Sequence, residues 1–154
     1  MAFHIVLVEP EIPANTGNIA RTCAATGTVL HLVRPLGFDT DDRTLKRAGL
    51  DYWHSVRVVY HDSFKEVKRE NPDGRFYLAT TKADRYYTEF SFQDGDFLVF
   101  GKETKGLSPE ILAAHPGQLM KMPMTEAVRS LNLSNSAAII LYEALRQTGF
   151  AGMK

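Results

Sequence analysis

Apolar positions along the chain switch repeatedly between strand-like runs and helical spacings. Residues 3–8 form a short apolar run with β-branched members, which predicts a buried strand that Pro10 and Pro13 prevent from continuing. From Asn15 or Thr16 the spacing becomes helical: Ile19, Ala20, Cys23 and Ala24 share a face, Asn15 or Thr16 can cap the free amides, and Gly27 closes the helix. A second strand over 29–33 completes a β-α-β unit. Arg34-Pro35-Leu36-Gly37 reads as a turn before a short helix over 42–48, ended by Gly49, whose Arg43, Lys46 and Arg47 project from one side. A strand over 56–60, a charged surface helix over 63–70, a turn at 71–74 and a strand over 76–80 follow. Residues 81–92 show no clean period and read as a loop with room for an edge strand, whereas 97–100 are fully apolar and predict a central strand. Ser108-Pro109 opens a helix through Ala114 with Pro109 at its first position, and a short strand over 119–122 is stopped by Pro123.

The stretch from Arg129 to Gln147 joins a polar loop to a core helix. Ala137, Ile140, Leu141, Ala144 and Leu145 define one buried face, while Ser130, Asn132, Ser134 and Asn135 crowd its start. A cap needs one such side chain, so this density points to binding as well as capping. Strands and helices alternate throughout, which predicts a single α/β domain over 1–154 with a mostly parallel sheet and helices on both faces. Ligands bind such sheets beyond the carboxyl ends of the strands, which selects the loops after Thr80, Phe100 and Met122.

Composition narrows the picture slightly. At 154 residues and 44% hydrophobic content the chain can bury one substantial core. No apolar run is long enough for a bilayer span, the first residues lack the order of a signal peptide, and the lone Cys23 suits a reducing compartment; a cytoplasmic protein without membrane contact is expected. Eighteen basic and eighteen acidic residues cancel, so a polyanion would have to find a local patch.

Several chemistries fail on their own motifs. Residues 101–108 follow a strand and precede a helix as a phosphate loop would, but Leu107 stands where that loop needs lysine. The glycine-rich turn of dinucleotide-binding and ordinary methyltransferase folds is absent after Val8. The five histidines are scattered and no metal site is expected; no nucleophile elbow surrounds Ser108 or Ser130. Two features remain: Asn15, Asn18 and Arg21 at a helix start whose amides favour anions, and Gly101 with Glu103 after the central strand, where glycine admits a close ligand and glutamate offers charge.

Asn15-x-x-Asn18-x-x-Arg21, Phe100-Gly101-x-Glu103-x-x-Gly106-Leu107 and Ser130-Leu131-Asn132-Leu133-Ser134 resemble, in order, the three signature motifs of the SPOUT superfamily of RNA methyltransferases. Residues 9–18 and 47–52 are similar to the small branch of that superfamily that methylates the ribose 2′-hydroxyl of the wobble nucleotide, cytidine or uridine, in the tRNA anticodon loop. The resemblance implies an α/β fold with a C-terminal deep trefoil knot, an exception to the rule against knots, and a homodimer that binds S-adenosylmethionine in the knot. It implies a cofactor pocket of Ala79, Thr80, Gly101, Glu103, Met122, Ser130 and Leu131, and a catalytic Arg21 positioned with Asn15, Ser130 and Asn132. Arginine is a poor base, so Arg21 is expected to hold phosphate and ease formation of the alkoxide, with either Arg21 or a phosphate oxygen taking the proton. For the tRNA anticodon stem-loop, Arg34, Arg43, Lys46 and Arg47 form the best basic face, supported by Lys82 and Arg85, and the C-terminal helix with Tyr142 is the expected dimer interface. A non-catalytic RNA-binding or assembly protein on the same fold is the alternative.

Overall fold

A computed structural model describes residues 2–39, 43 and 52–154. Among these residues, seven strands form one sheet in the order β3-β2-β1-β6-β4-β7-β5, and every pair is parallel. The strands are β1 His4–Val8, β2 Val29–Val33, β3 Val58–His61, β4 Phe76–Ala79, β5 Arg85–Tyr86, β6 Phe97–Phe100 and β7 Leu119–Lys121. The helices that lie wholly within the described residues are α1 Pro13–Thr26, α2 Phe64–Glu70, α3 Pro109–Ala113 and α4 Leu133–Gln147. The short β5 sits at the sheet edge inside the segment that lacks a period, followed by a 3-10 turn over Tyr87–Glu89.

Strand alternation explains why both faces need helices. Ile5, Leu7, Leu98 and Phe100 join Ile19, Ala20 and Cys23 of α1 and Ile140, Leu141 and Ala144 of α4 in one core. Val6, Val8, Phe97 and Val99 point the other way, against Phe64 and Val67 of α2 and Leu112 of α3. Because side chains alternate with period two, a strand buried on both faces is apolar at every position, as β6 is. All five residues of the predicted α4 face are buried. Gly27 ends α1 at φ 67, a left-handed conformation that glycine adopts without strain.

The start of α1 differs from the expectation. The helix begins at Pro13, with Ile12 at the capping position and no side-chain cap; Asn15 and Thr16 lie buried inside the first turns. Proline tolerates the first helical position because its missing N–H would have no intrahelical partner there. Apart from Arg43, which is exposed, the basic helix expected over 42–48 lies outside the described residues, and Lys46 and Arg47 with it. Among the described residues, no helix is long and apolar enough to cross a membrane.

A row of imidazoles crosses the first three strands. His4 Nδ1 lies 2.8 Å from His31 Nε2, and His31 Nδ1 lies 2.9 Å from His61 Nε2. Burial, and then neighbouring cationic and imidazole groups, push His31 down to about 3; burial and Arg57 push His4 down to about 4. Both are neutral in the fold at neutral pH, and the unfolded chain takes up their protons first. Their contribution to stability is therefore complete above about pH 6.5 and is lost as pH falls towards 3–4. Denaturant unfolding should show a loss of about 1–2 kcal/mol between pH 7 and pH 5, reduced in His31→Gln. Equal pH slopes in the two proteins would contradict this assignment.

Candidate functional site

The three loops selected from the sequence meet beyond the carboxyl ends of β4, β6 and β7, around a cleft of about 510 Å³. Ala79, Thr80, Gly101, Glu103, Met122, Ser130 and Leu131 all line it, as do Asn15 and Asn132. Thr80 N–H donates to Met120 C=O at 2.9 Å, which holds the loop after β4 against β7. Phe100, Leu107, Leu112 and Met120 supply apolar wall, and Lys82, Lys102, Lys105, Lys121 and Arg129 supply cations. Lys121 and Arg129 carried no motif, and only the path of the chain puts them there.

Glu103 is the element that joins these loops. Its carboxylate accepts the backbone N–H of Glu11 at 2.9 Å and of Ile12 at 2.8 Å, just ahead of α1, and the Asn15 amide at 3.2 Å. The protein's own carboxylate thus fills the anion position expected at the start of this helix. Glu103 lines the cleft while both of its carboxylate oxygens are engaged on the α1 side.

Asn15 continues the connection, because its Oδ1 accepts from Asn132 Nδ2 at 3.1 Å. Asn132 caps α4 by accepting the Asn135 N–H at 3.1 Å, and it also accepts the Ser134 hydroxyl at 2.6 Å. One polar relay therefore runs from the loop after β6, through α1, to the start of α4. The polar crowding before α4 divides accordingly: Asn132 and Ser134 satisfy one another, and Ser130 stays exposed at the cleft.

A second clasp faces the first. The Glu11 carboxylate accepts the Thr104 N–H at 3.0 Å and the Thr104 hydroxyl at 2.7 Å. These hydrogen bonds, with Lys102 and Lys105 nearby, hold the Glu11 carboxyl below the usual carboxylate range. Lys102 also reaches Glu9 at 3.3 Å. The signal for this contact lay in the two acids of Glu9-Pro10-Glu11, which are opposite in charge to Lys102 and Lys105.

Gly101 lines the cleft, and its lack of a side chain has a further reason within the loop. A Cβ at this position would sit 2.2 Å from the Gly106 carbonyl carbon and 2.3 Å from the Leu107 nitrogen. The loop folds back on its own start, with the Gly106 N–H donating to Lys102 C=O at 2.8 Å. The missing side chain makes room for the protein's own backbone, and the ligand wall follows from that turn. Arg21 does not line the cleft of its own chain. It is exposed on α1 with its guanidinium 4.9 Å from the Tyr52 ring centre. Asn18 is also exposed, so α1 carries Asn15 inward and the other two motif residues outward. Arg34 lies away from the cleft, paired with Asp62 at 3.2 Å and over the Tyr60 ring at 5.1 Å. Arg85 lies over Phe90 at 4.1 Å.

Because backbone cannot yield to a Cβ at 2.2 Å, Gly101→Ala should displace the 101–107 loop and destabilise the fold by about 2 kcal/mol or more in denaturant unfolding. Wild-type stability in this variant would show that the turn relaxes freely.

Comparison with known proteins finds relatives similar over nearly the whole chain. A protein of Geobacillus stearothermophilus, which carries the name tRNA (cytidine(34)-2′-O)-methyltransferase provisionally, is 57% identical over 156 residues, covering 99% of each chain. A solved structure described as giving structural insights into the 2-OH methylation of C/U34 on tRNA has 45% identity and a TM-score of 0.91, with 96% of each chain covered. The SpoU methyltransferase AviRb from Streptomyces viridochromogenes, solved in complex with AdoMet, has 26% identity and a TM-score of 0.85; the match covers 96% of this chain and 60% of that one. The sequence profile of the SpoU rRNA Methylase family matches residues 2–142, and the chain belongs to that family.

Proposed function

We propose that this chain is an S-adenosylmethionine-dependent methyltransferase acting, as a single domain, on the ribose 2′-hydroxyl of the wobble nucleotide, cytidine or uridine, in the tRNA anticodon loop. The observation that carries the reading is the cleft itself: three strand-end loops, far apart in sequence, enclose about 510 Å³ with an apolar wall and a cationic rim. That combination suits a ligand with an apolar ring, hydroxyls and a carboxylate. The strong likeness to relatives named for this reaction supports the same substrate.

When bound, S-adenosylmethionine supplies an electrophilic methyl group on a sulfonium centre. The chain's own task is to align a ribose oxygen with that methyl, exclude water and manage one proton. Ala79, Thr80, Gly101, Met122, Ser130 and Leu131 shape the cofactor pocket, and Glu103 acts by fixing the wall through its clasp on α1. Asn15 and Asn132 are positioning residues, because their mutual hydrogen bond holds the start of α4 at the cleft mouth.

Arg21 holds the target phosphate and stabilises negative charge developing on the 2′-oxygen. Since it faces away from its own cleft, the homodimer gives it a role: a second copy brings Arg21 to the partner's cleft. Ile139 and Tyr142 are exposed on α4, which packs beside α1, and they form the core of that interface. Arg34, Arg43, Lys46 and Arg47, with Lys82 and Arg85, are the basic residues that meet the phosphates of the anticodon stem-loop. The C-terminal segment forms a trefoil knot, and the enzyme works in the cytoplasm without a metal in its reaction.

Isothermal titration with S-adenosylmethionine tests the enzyme reading, and absence of binding would leave an RNA-binding protein without turnover. Arg21→Ala should keep cofactor affinity and lower methyl transfer to a tRNA anticodon stem-loop by about 100-fold or more; unaltered turnover would remove Arg21 from the reaction. Tyr142→Asp combined with Ile139→Asp should yield monomers that lose tRNA binding, and an active monomer would contradict the shared site.

A further inference from the structure

His61 ends β3 with its imidazole 1% exposed, yet its Nδ1 makes no hydrogen bond. An unpaired nitrogen buried this deeply is costly unless something else occupies its lone pair. That nitrogen faces two carboxylates of α2: Glu70 Oε2 lies 3.2 Å away and Glu66 Oε1 3.7 Å away. Glu66 and Glu70 are four residues apart, so they share one side of the helix. The three ligand atoms all lie within 4.8 Å of one another.

Among the described residues, neither carboxylate pairs with a lysine or arginine. Glu70 is moreover the last residue of α2, where the helix dipole disfavours negative charge. We propose that His61, Glu66 and Glu70 bind a divalent transition-metal ion that clips the end of β3 to α2. Ligands held about 2.0–2.2 Å from a tetrahedral zinc ion stand about 3.3–3.6 Å apart, close to the two separations from His61 Nδ1. One imidazole and two carboxylates leave a fourth position for water.

The imidazole row supplies the support that such a ligand needs. A metal-bound Nδ1 has no proton, so His61 Nε2 carries it and donates to His31 Nδ1 at 2.9 Å. His31 Nε2 then carries its own proton and donates to His4 Nδ1 at 2.8 Å. The ion would fix one direction along all three rings. None of these residues lines the cleft, so the site is independent of the proposed methyl transfer.

The test uses untagged full-length protein stripped with a chelator and titrated with zinc chloride against a chromophoric zinc indicator. Wild type should bind one zinc per chain at micromolar concentration or tighter, and the ion should raise Tm by about 5 °C at saturation. Glu66→Gln combined with Glu70→Gln alters partly exposed side chains and should leave the fold and methyl transfer intact while weakening zinc at least 100-fold. Magnesium, which does not favour imidazole, should not compete. No zinc uptake by wild type, equal uptake by the double variant, or equal competition by magnesium would each overturn the site.

Discussion

The carboxylate of Glu103 is the constraint on which the cleft depends. The loop after β6 passes beside the residues that lead into α1, where Glu11 and Ile12 present backbone N–H groups. By accepting the N–H groups of Glu11 and Ile12, Glu103 satisfies those amides and anchors the loop in one step. Hydrogen bonds to a charged group are worth about 1.5–3 kcal/mol each, enough to fix a surface loop against its conformational entropy. Glu11 returns the contact through Thr104, so each loop holds the other with a carboxylate.

From that clasp the arrangement spreads through Asn15 to Asn132. Asn15 is 5% exposed and uses both ends of its amide, donating to Glu103 and accepting from Asn132. Its position is defined from beneath by α1, whose apolar face is locked into the sheet through Ile19, Ala20 and Cys23. Packing therefore sets the height of Asn15, Asn15 sets the start of α4, and α4 sets where Ser130 and Leu131 stand at the cleft. The two cores beneath, one on each face of the sheet, give this chain of positions a rigid base.

Much of the fold was legible in the sequence. The apolar runs of β1 and β6, the α4 face from Ala137 to Leu145, and the Ser108-Pro109 helix start each follow from local rules of periodicity and capping. The cleft was legible as three loops because parallel sheets place ligands at strand ends. Partners 88 to 117 residues apart were not legible: nothing local joins Glu103 to Asn15, or Asn15 to Asn132. The same limit hid the Gly106–Leu107 backbone that a side chain at Gly101 would meet, and the approach of Glu66 and Glu70 to His61. Asn15 and Thr16 misled as caps because Pro13 starts the helix earlier, which turns both inward.

The claim that a polar relay, more than any one pocket residue, holds the cofactor cleft in shape is tested most directly by a double-mutant cycle. S-adenosylmethionine affinity would be measured by calorimetry for wild type, Glu103→Gln, Asn132→Ala and the double variant. The relay predicts that the single losses are not additive, with a coupling of about 1 kcal/mol or more. Additive losses, or undiminished affinity in both single variants, would contradict it.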